Sequence, residues 1–103
     1  MSSRKVMITH ILSEDLAFRH NARYLFETIE SYAEREVVLD FTNVKTISRS
    51  FAHEYLSRKK KCSKNIEEVC VPETVEKMFK VVQNPSKKRK ILDKDDSEMV
   101  LLN

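Results

Sequence analysis

The chain has 103 residues, of which 41% are hydrophobic and 34% charged, and its formal net charge is +3. This length allows one small domain, and the longest apolar run, Val37-Val38-Leu39, is too short to cross a bilayer. The sequence contains no glycine, which excludes the phosphate-binding loops of the Walker and Rossmann types because their backbone conformations require it.

The first third of the chain predicts a strand followed by an amphipathic helix. Residues 6–11 alternate loosely between apolar and polar side chains, which is typical of a strand, and an extra edge strand could lie within residues 11–17. From His20 to Ala33 the apolar residues recur at helical spacing, and Phe18 would extend the same stripe if the helix began earlier. Either Ser13 or Asn21 could cap this helix. Its predicted buried face consists of Ala22, Leu25, Phe26, Ile29 and Ala33.

The middle of the chain predicts a second strand and a second helix, joined by a loop over residues 42–49. The run Val37 to Phe41 is short, apolar and β-branched, which indicates a strand buried on both faces of a parallel sheet. Because this strand follows a helix, we expect a βαβ unit. Ser48 or Ser50 would cap the next helix. Its predicted inner face consists of Phe51, Ala52, Tyr55, Leu56 and Cys62.

The last elements are a third strand and a third helix. Val69-Cys70-Val71 reads as a strand that Pro72 would end, with Cys70 as a buried side chain. The helix has an acidic first turn, and Asn84-Pro85 would stop it. Its apolar positions are Val75, Met78, Phe79 and Val82. In the absence of glycine, the candidates for left-handed turn conformations are Asn43, Asn65 and Asn84.

Composition changes sharply at the C-terminal end. Residues 85–103 are highly charged and contain too little apolar surface to offset the entropy of ordering them. We therefore expect a folded domain over residues 1–84 and a flexible, disordered tail over residues 85–103. The domain is predicted to be α/β, with a small, mainly parallel sheet of three to four strands flanked by helices.

No pattern of catalytic or metal-binding residues stands out. His53-Glu54 could begin a zinc-protease motif, but Ser57 stands where the second histidine is required. The histidines fall in separate predicted elements, and the two cysteines lack metal-ligand spacing, so we expect free thiols in the reducing cytoplasm. The sequence therefore predicts a non-enzymatic protein without a cofactor or metal.

The most informative pattern lies between Val37 and Leu56. A strand that ends in Leu39-Asp40-Phe41 leads through a short loop to a helix start that contains Ser48, Ser50, Phe51 and Glu54. This arrangement, with the helix before it, resembles the STAS-like domains, relatives of the sulphate-transporter and anti-sigma-factor-antagonist fold. The resemblance implies a regulatory module that binds another protein. In the anti-sigma-factor antagonists that protein is a kinase of the histidine-kinase-like ATPase type.

The resemblance also implies where the partner binds. In those antagonists the loop carries Asp-Ser-Ser-Gly, and the first serine is phosphorylated. Here Ser48 stands at the aspartate, Arg49 at the phosphorylated serine, Ser50 at the second serine and Phe51 at the glycine, so the phospho-acceptor is not carried over. Phe51 with Glu54 instead matches the STAS-like subfamily of unknown function. Asp40 would orient the loop, and the candidate interaction or phosphorylation residues are Ser48, Arg49, Ser50, His53 and Glu54.

A second function is suggested by two basic runs. One spans residues 58–64 and the other spans residues 87–90, and together they could bind nucleic acid, with an affinity that falls as salt rises. The residues of the first run are Arg58, Lys59, Lys60, Lys61 and Lys64. A basic run at the end of a helix is also typical of a solvated surface that complements the helix dipole. The sequence leaves open a different protein, nucleic acid and a second copy of the chain as partners.

Overall fold

A computed structural model describes residues 2–83, and it contains five strands and four helices in that range. In chain order they are β1 (Ser3–Met7), α1 (Ile8–Ile11), β2 (Asp15–Leu16), α2 (Arg19–Glu30), β3 (Glu36–Asp40), β4 (Thr46–Ile47), α3 (Arg49–Lys61), β5 (Asn65–Val69) and α4 (Glu73–Gln83). The predicted α/β class, with a mainly parallel sheet flanked by helices, is confirmed. No helix among the described residues has the length and apolar character that crossing a membrane requires. The predicted helix stop at Asn84-Pro85 and the predicted tail lie outside the described residues.

The main sheet has three parallel strands in the order β1-β3-β5. Val6 of β1 lies beside Leu39 of β3, which lies beside Glu68 of β5. The predicted βαβ unit is therefore present, with α2 connecting β1 to β3. The short strands β2 and β4 form a separate parallel pair, so the extra strand predicted within residues 11–17 exists but does not extend the edge of the main sheet.

The helices cover only one face of this sheet. Val37 and Leu39 point into the core and are buried, whereas Val38 between them is half-buried. Its neighbours in the same row, Lys5 and Glu67, are exposed. The prediction that β3 is buried on both faces is wrong because β1, β3 and β5 follow one another in a single direction. Right-handed crossovers in one direction place their helices on the same side.

Tyr55 lies at the centre of the helical face. Its ring stacks on Phe79 with the ring centroids 5.2 Å apart, and the rings of Phe26, Phe41 and Phe51 surround it. The buried hydroxyl donates a hydrogen bond to Glu68 of β5. Burial, together with the negative charge of this carboxylate, raises the pKa of Tyr55 well above its ordinary value. The aromatic cluster thus joins α2, α3 and α4 to the sheet.

The predicted bounds of the first and third strands were wrong, and so was the predicted burial of Cys70. The first strand ends at Met7, and the residues that follow form the single-turn helix α1. The third strand is Asn65–Val69, so Asn65 begins a strand instead of forming a turn. Cys70 follows that strand in a left-handed conformation with φ of 55° and is exposed, not buried. Because the helices cover only one face of the sheet, only alternate side chains of β5 face the core, and its apolar content is low. Asn43 adopts the left-handed conformation that was predicted for it, with φ of 70°.

The start of α2 also differs from the prediction. Neither Ser13 nor Asn21 caps this helix, because Phe18 occupies the N-cap position and makes no side-chain capping bond. Phe18 is 61% exposed and its ring stacks on that of His20, so it does not extend the buried stripe. Ala33 is exposed as well, since α2 ends at Glu30. The four central positions of the stripe are buried as predicted, namely Ala22, Leu25, Phe26 and Ile29.

The C-terminal ends of α2 and α3 are connected by Glu30. Its carboxylate accepts hydrogen bonds from the Ser63 hydroxyl at 2.6 Å and from the Ser63 backbone N–H at 3.0 Å. These bonds lower the pKa of Glu30 to about 2. The carboxylate therefore stabilises the turn after α3 only in its ionised form.

Replacement of Phe18 by serine tests whether the ring contributes to folding. Serine accepts a hydrogen bond from the first turn of a helix, so Phe18→Ser should raise the free energy of unfolding by roughly 0.5–1 kcal/mol. Urea denaturation followed by circular dichroism measures the change. The control is Phe18→Ala, which removes the ring without adding a cap and should leave stability close to that of the wild type. Equal destabilisation by both variants would show that the ring is structural.

The Glu30 interaction should make stability depend on pH. Since the pKa of folded Glu30 lies below the ordinary value of 4.5, its contribution is complete above that value and disappears as the pH falls towards about 2. Glu30→Gln should therefore be less stable than the wild type at neutral pH, and the difference should shrink over this acidic range. Urea midpoints at a series of pH values measure it. Ser63→Ala, which removes one donor, should reduce the pH dependence, whereas a difference that is constant with pH would contradict the assignment.

Candidate functional site

The loop after β3 begins with a hydrogen-bonded turn at Asp40. The buried carboxylate accepts hydrogen bonds from the backbone N–H and the hydroxyl of Thr42, and Lys5 lies 3.3 Å away. The Thr42 bonds, with a smaller contribution from Lys5, lower the pKa of Asp40. Asp40 thereby sets the direction in which the chain leaves the sheet. This is the carboxyl-terminal edge of the strands, where ligand sites of parallel sheets are commonly found.

Ser48 caps α3 and connects it to the start of α2. Its hydroxyl accepts a hydrogen bond from the Phe51 backbone N–H at 3.0 Å and donates one to the Ala17 carbonyl at 2.6 Å. The Ser48 backbone N–H also donates to the Leu16 carbonyl at 2.8 Å. The hydroxyl therefore makes both its donor bond and an acceptor bond within the fold. Of the two serines predicted as caps, Ser48 is the cap, and its role is structural.

Arg49, Ser50 and His53 lie on the solvent side of the first turns of α3. All three side chains are exposed, and Ser50 and His53 are three residues apart, which places them on the same side of the helix. Within residues 2–83, the Ser50 hydroxyl has no hydrogen-bond partner. These residues are available to a partner without rearrangement of the fold.

Glu54 is held by arginines from two helices. Its carboxylate accepts a hydrogen bond from Arg58 at 2.7 Å, and Arg19 and Arg23 of α2 lie at 3.9 and 3.8 Å. The hydrogen bond from Arg58, and the positive charge of all three arginines, lower the pKa of Glu54. Glu54 thus connects α2 with α3, and the surrounding surface carries an excess of positive charge.

The basic run at residues 58–64 does not form one continuous surface. Arg58 faces Glu54, Lys59 is 3.0 Å from Glu68, and Lys64 donates a hydrogen bond to the Tyr32 carbonyl at 2.6 Å. Lys60 and Lys61 point into solvent. The helix therefore separates the predicted nucleic-acid residues onto different sides, and the run at residues 87–90 lies outside the described part of the chain.

Two open grooves flank α3. One, of about 640 Å³, lies between α3 and α4 and is lined by His53, Leu56 and Val82 among others. The other, of about 450 Å³, lies between α2 and α3 beneath Glu54 and Arg58. Within residues 2–83, no three His, Cys, Asp or Glu side chains are grouped as metal ligands would be.

Sequence reasoning missed the contribution of α2 to this region. The Ser48 hydrogen bonds bring residues 16–18 next to the start of α3, and the Glu54 ion pairs bring Arg19 and Arg23 to its first turns. The local pattern indicated that Phe18 would extend the buried stripe if α2 began earlier. Because these contacts join residues about thirty positions apart, periodicity within one helix carries no signal for them.

A family model described as "STAS-like domain of unknown function (DUF4325)" matches residues 21–58. This segment runs from α2 through β3 and β4 into α3 and includes the whole corner from Ile47 to Glu54. The resemblance to the STAS-like domains that the sequence predicted is therefore confirmed over this segment. No curated protein and no solved structure matches the chain.

The two serines of the corner should differ in their effect on stability. Ser48→Ala removes the cap of α3 and the bond to Ala17, so we expect a loss of about 1–2 kcal/mol in the free energy of unfolding. Ser50→Ala changes an exposed hydroxyl that has no hydrogen-bond partner among residues 2–83, and its stability should lie within about 0.5 kcal/mol of that of the wild type. Chemical denaturation of the two variants gives both values. A large loss for Ser50→Ala would contradict its assignment as a free surface residue.

Proposed function

We propose that the protein is a non-enzymatic regulatory module that docks onto a partner protein through the corner formed by residues 47–54. The observation that carries the proposal is the exposure of Arg49, Ser50 and His53 at the start of α3, while the residues beneath them are fixed by hydrogen bonds. The family match to a STAS-like domain supports the same reading.

Rigidity makes this corner suitable for binding. Ser48 joins the corner to β2 and to Ala17, and Glu54 joins it to α2, so the exposed side chains project from a preformed surface. A partner that binds a preformed surface loses less free energy to ordering than one that binds a flexible loop. The corner therefore needs few strong contacts for specific binding.

A histidine-kinase-like ATPase is the partner class that the resemblance implies. Arg49 stands at the position of the phosphorylated serine, so phosphorylation at that position is excluded in this chain. Ser50 is then the candidate acceptor, because its hydroxyl is exposed and has no bond to the described residues. A phosphate there would lie near the N-terminus of α3 and next to Arg49, where negative charge is stabilised, so the fold would be retained while the docking surface changed.

Nucleic-acid binding through residues 58–64 is less well supported. Arg58, Lys59 and Lys64 are engaged by groups within the domain, which leaves Lys60 and Lys61 as the exposed members of the run. Sequence-independent binding requires several lysines or arginines that neutralise phosphates together. The charge that remains on this surface is better suited to contacts with carboxylates of a protein.

Binding to histidine-kinase-like ATPases of the source genome tests the proposal. Arg49→Glu reverses an exposed charge at the centre of the corner and should weaken binding about tenfold or more, measured by biolayer interferometry. Lys77→Glu, the same reversal of charge at an exposed position on α4, is the matched control and should have little effect on binding. Incubation with labelled ATP then shows whether Ser50 is phosphorylated, since Ser50→Ala should abolish the label. Equal losses for the two charge reversals, or no binding to any such ATPase, would contradict the proposal.

A further inference from the structure

We infer that docking is anchored by aromatic side chains at the N-terminal end of α2 and that the partner presents an acidic surface around an apolar recess. This inference rests on the proposed function and extends it to residues outside the corner. The aromatic row, as we call it, consists of Phe18, His20 and Tyr24. Phe18 is 61% exposed and Tyr24 is 54% exposed, and they are the exposed large hydrophobic side chains of residues 2–83.

The fold itself does not explain a phenylalanine at position 18. The residue occupies the N-cap of α2, where serine, threonine, aspartate or asparagine would stabilise the helix, and it makes no capping bond. Its ring lies outside the core and stacks on the exposed ring of His20, with the centroids 5.6 Å apart and the planes 13° apart. Most of the ring is exposed, and exposed aromatic side chains are enriched among the residues that dominate binding at protein interfaces.

The hydrogen bonds of Ser48 place the aromatic row beside the docking corner. The Ala17 carbonyl, one residue before Phe18, accepts the bond from the Ser48 hydroxyl. Phe18 is therefore fixed next to the first turn of α3, which carries Arg49 and Ser50. Tyr24 lies one helical turn beyond His20 on the same side of α2, so the row continues along the helix. The row therefore begins beside the corner, at the N-terminal ends of the two helices.

The charges of this surface identify the chemistry of the partner. Arg19, Arg23 and Arg58 surround Glu54, and Arg49 lies at the start of α3. With Glu27 of α2 included, arginines outnumber glutamates on this part of the surface. Aromatic residues and arginine are the types most enriched in protein interfaces and among their energetically dominant residues. A partner with carboxylates placed opposite the arginines and an apolar recess for Phe18 is complementary to the surface.

Single-stranded nucleic acid also binds surfaces that combine aromatic and basic residues. Here, however, the Phe18 face is already stacked on His20, and Glu54 engages three of the four arginines. Glu27, one turn beyond Arg23, adds exposed negative charge on the same helix. The positive charge along α2 is therefore interrupted. Nucleic-acid binding requires several basic side chains that contact successive phosphates, whereas a protein partner can be bound through a few carboxylates placed opposite individual arginines. The observations therefore favour an acidic protein.

A library of random peptides of about 12 residues, displayed on phage and selected on the full chain, provides the probe. We expect the selected peptides to combine several Asp or Glu residues with a large apolar residue, and their binding to weaken as salt rises. For a fluorescent selected peptide, Phe18→Ser should raise the dissociation constant about tenfold or more. The serine supplies a helix cap, so the variant keeps its fold, which circular dichroism verifies. Gln83→Ser, another exposed and uncharged change, should leave binding unaltered.

The outcomes separate this inference from the proposed function. If Arg49→Glu weakens peptide binding and Phe18→Ser does not, the aromatic anchor is disproved while docking at the corner stands. If Phe18→Ser weakens binding and Arg49→Glu does not, the anchor stands and the corner fails. Selection of no peptide, or of peptides without acidic residues, would overturn the inference. It would also be overturned if an oligothymidylate of about 16 nucleotides bound more tightly than the peptides and lost affinity in Phe18→Ser.

Discussion

The hydroxyl of Ser48 bridges two segments that lie 31 residues apart in the chain, and the arrangement of the exposed surface depends on this contact. It closes the first turn of α3 through Phe51 and holds the segment before α2 through Ala17. The hydroxyl is partly buried and makes both a donor and an acceptor bond there, whereas an unpaired hydroxyl in this position would destabilise the fold. The N-terminal ends of two parallel helices consequently lie side by side.

The packing of helices on only one face of the sheet also places α2 and α3 side by side. Because β1, β3 and β5 follow in order, α2 and α3 lie on the same face and run in the same direction. The aromatic cluster around Tyr55 fills the space between these helices, α4 and the sheet. A domain of this size has little room for a second core, so one well-packed cluster holds most of its elements together.

Electrostatic contacts then fix the two helices at both ends. Glu54 joins them near their N-termini through arginines of α2 and α3, and Glu30 joins them near their C-termini through Ser63. The pKa of each carboxyl is lowered, since each is stabilised in its ionised form by the groups it contacts. At the N-terminal end the arginines outnumber the carboxylate, and this imbalance makes that end the positively charged part of the surface.

The sequence by itself determined the α/β class, the parallel βαβ unit and the buried faces of α2, α3 and α4, because helical and strand periodicities report which side of an element avoids water. It also carried the STAS-like pattern around Leu39-Asp40-Phe41, which belongs to one continuous segment. Only the tertiary structure decided that Phe18 is exposed, that Ser48 and not Ser50 is the cap, and that Glu54 pairs with α2. Each of these depends on contacts between residues distant in the chain, or on which face of the sheet is covered, and local pattern contains neither.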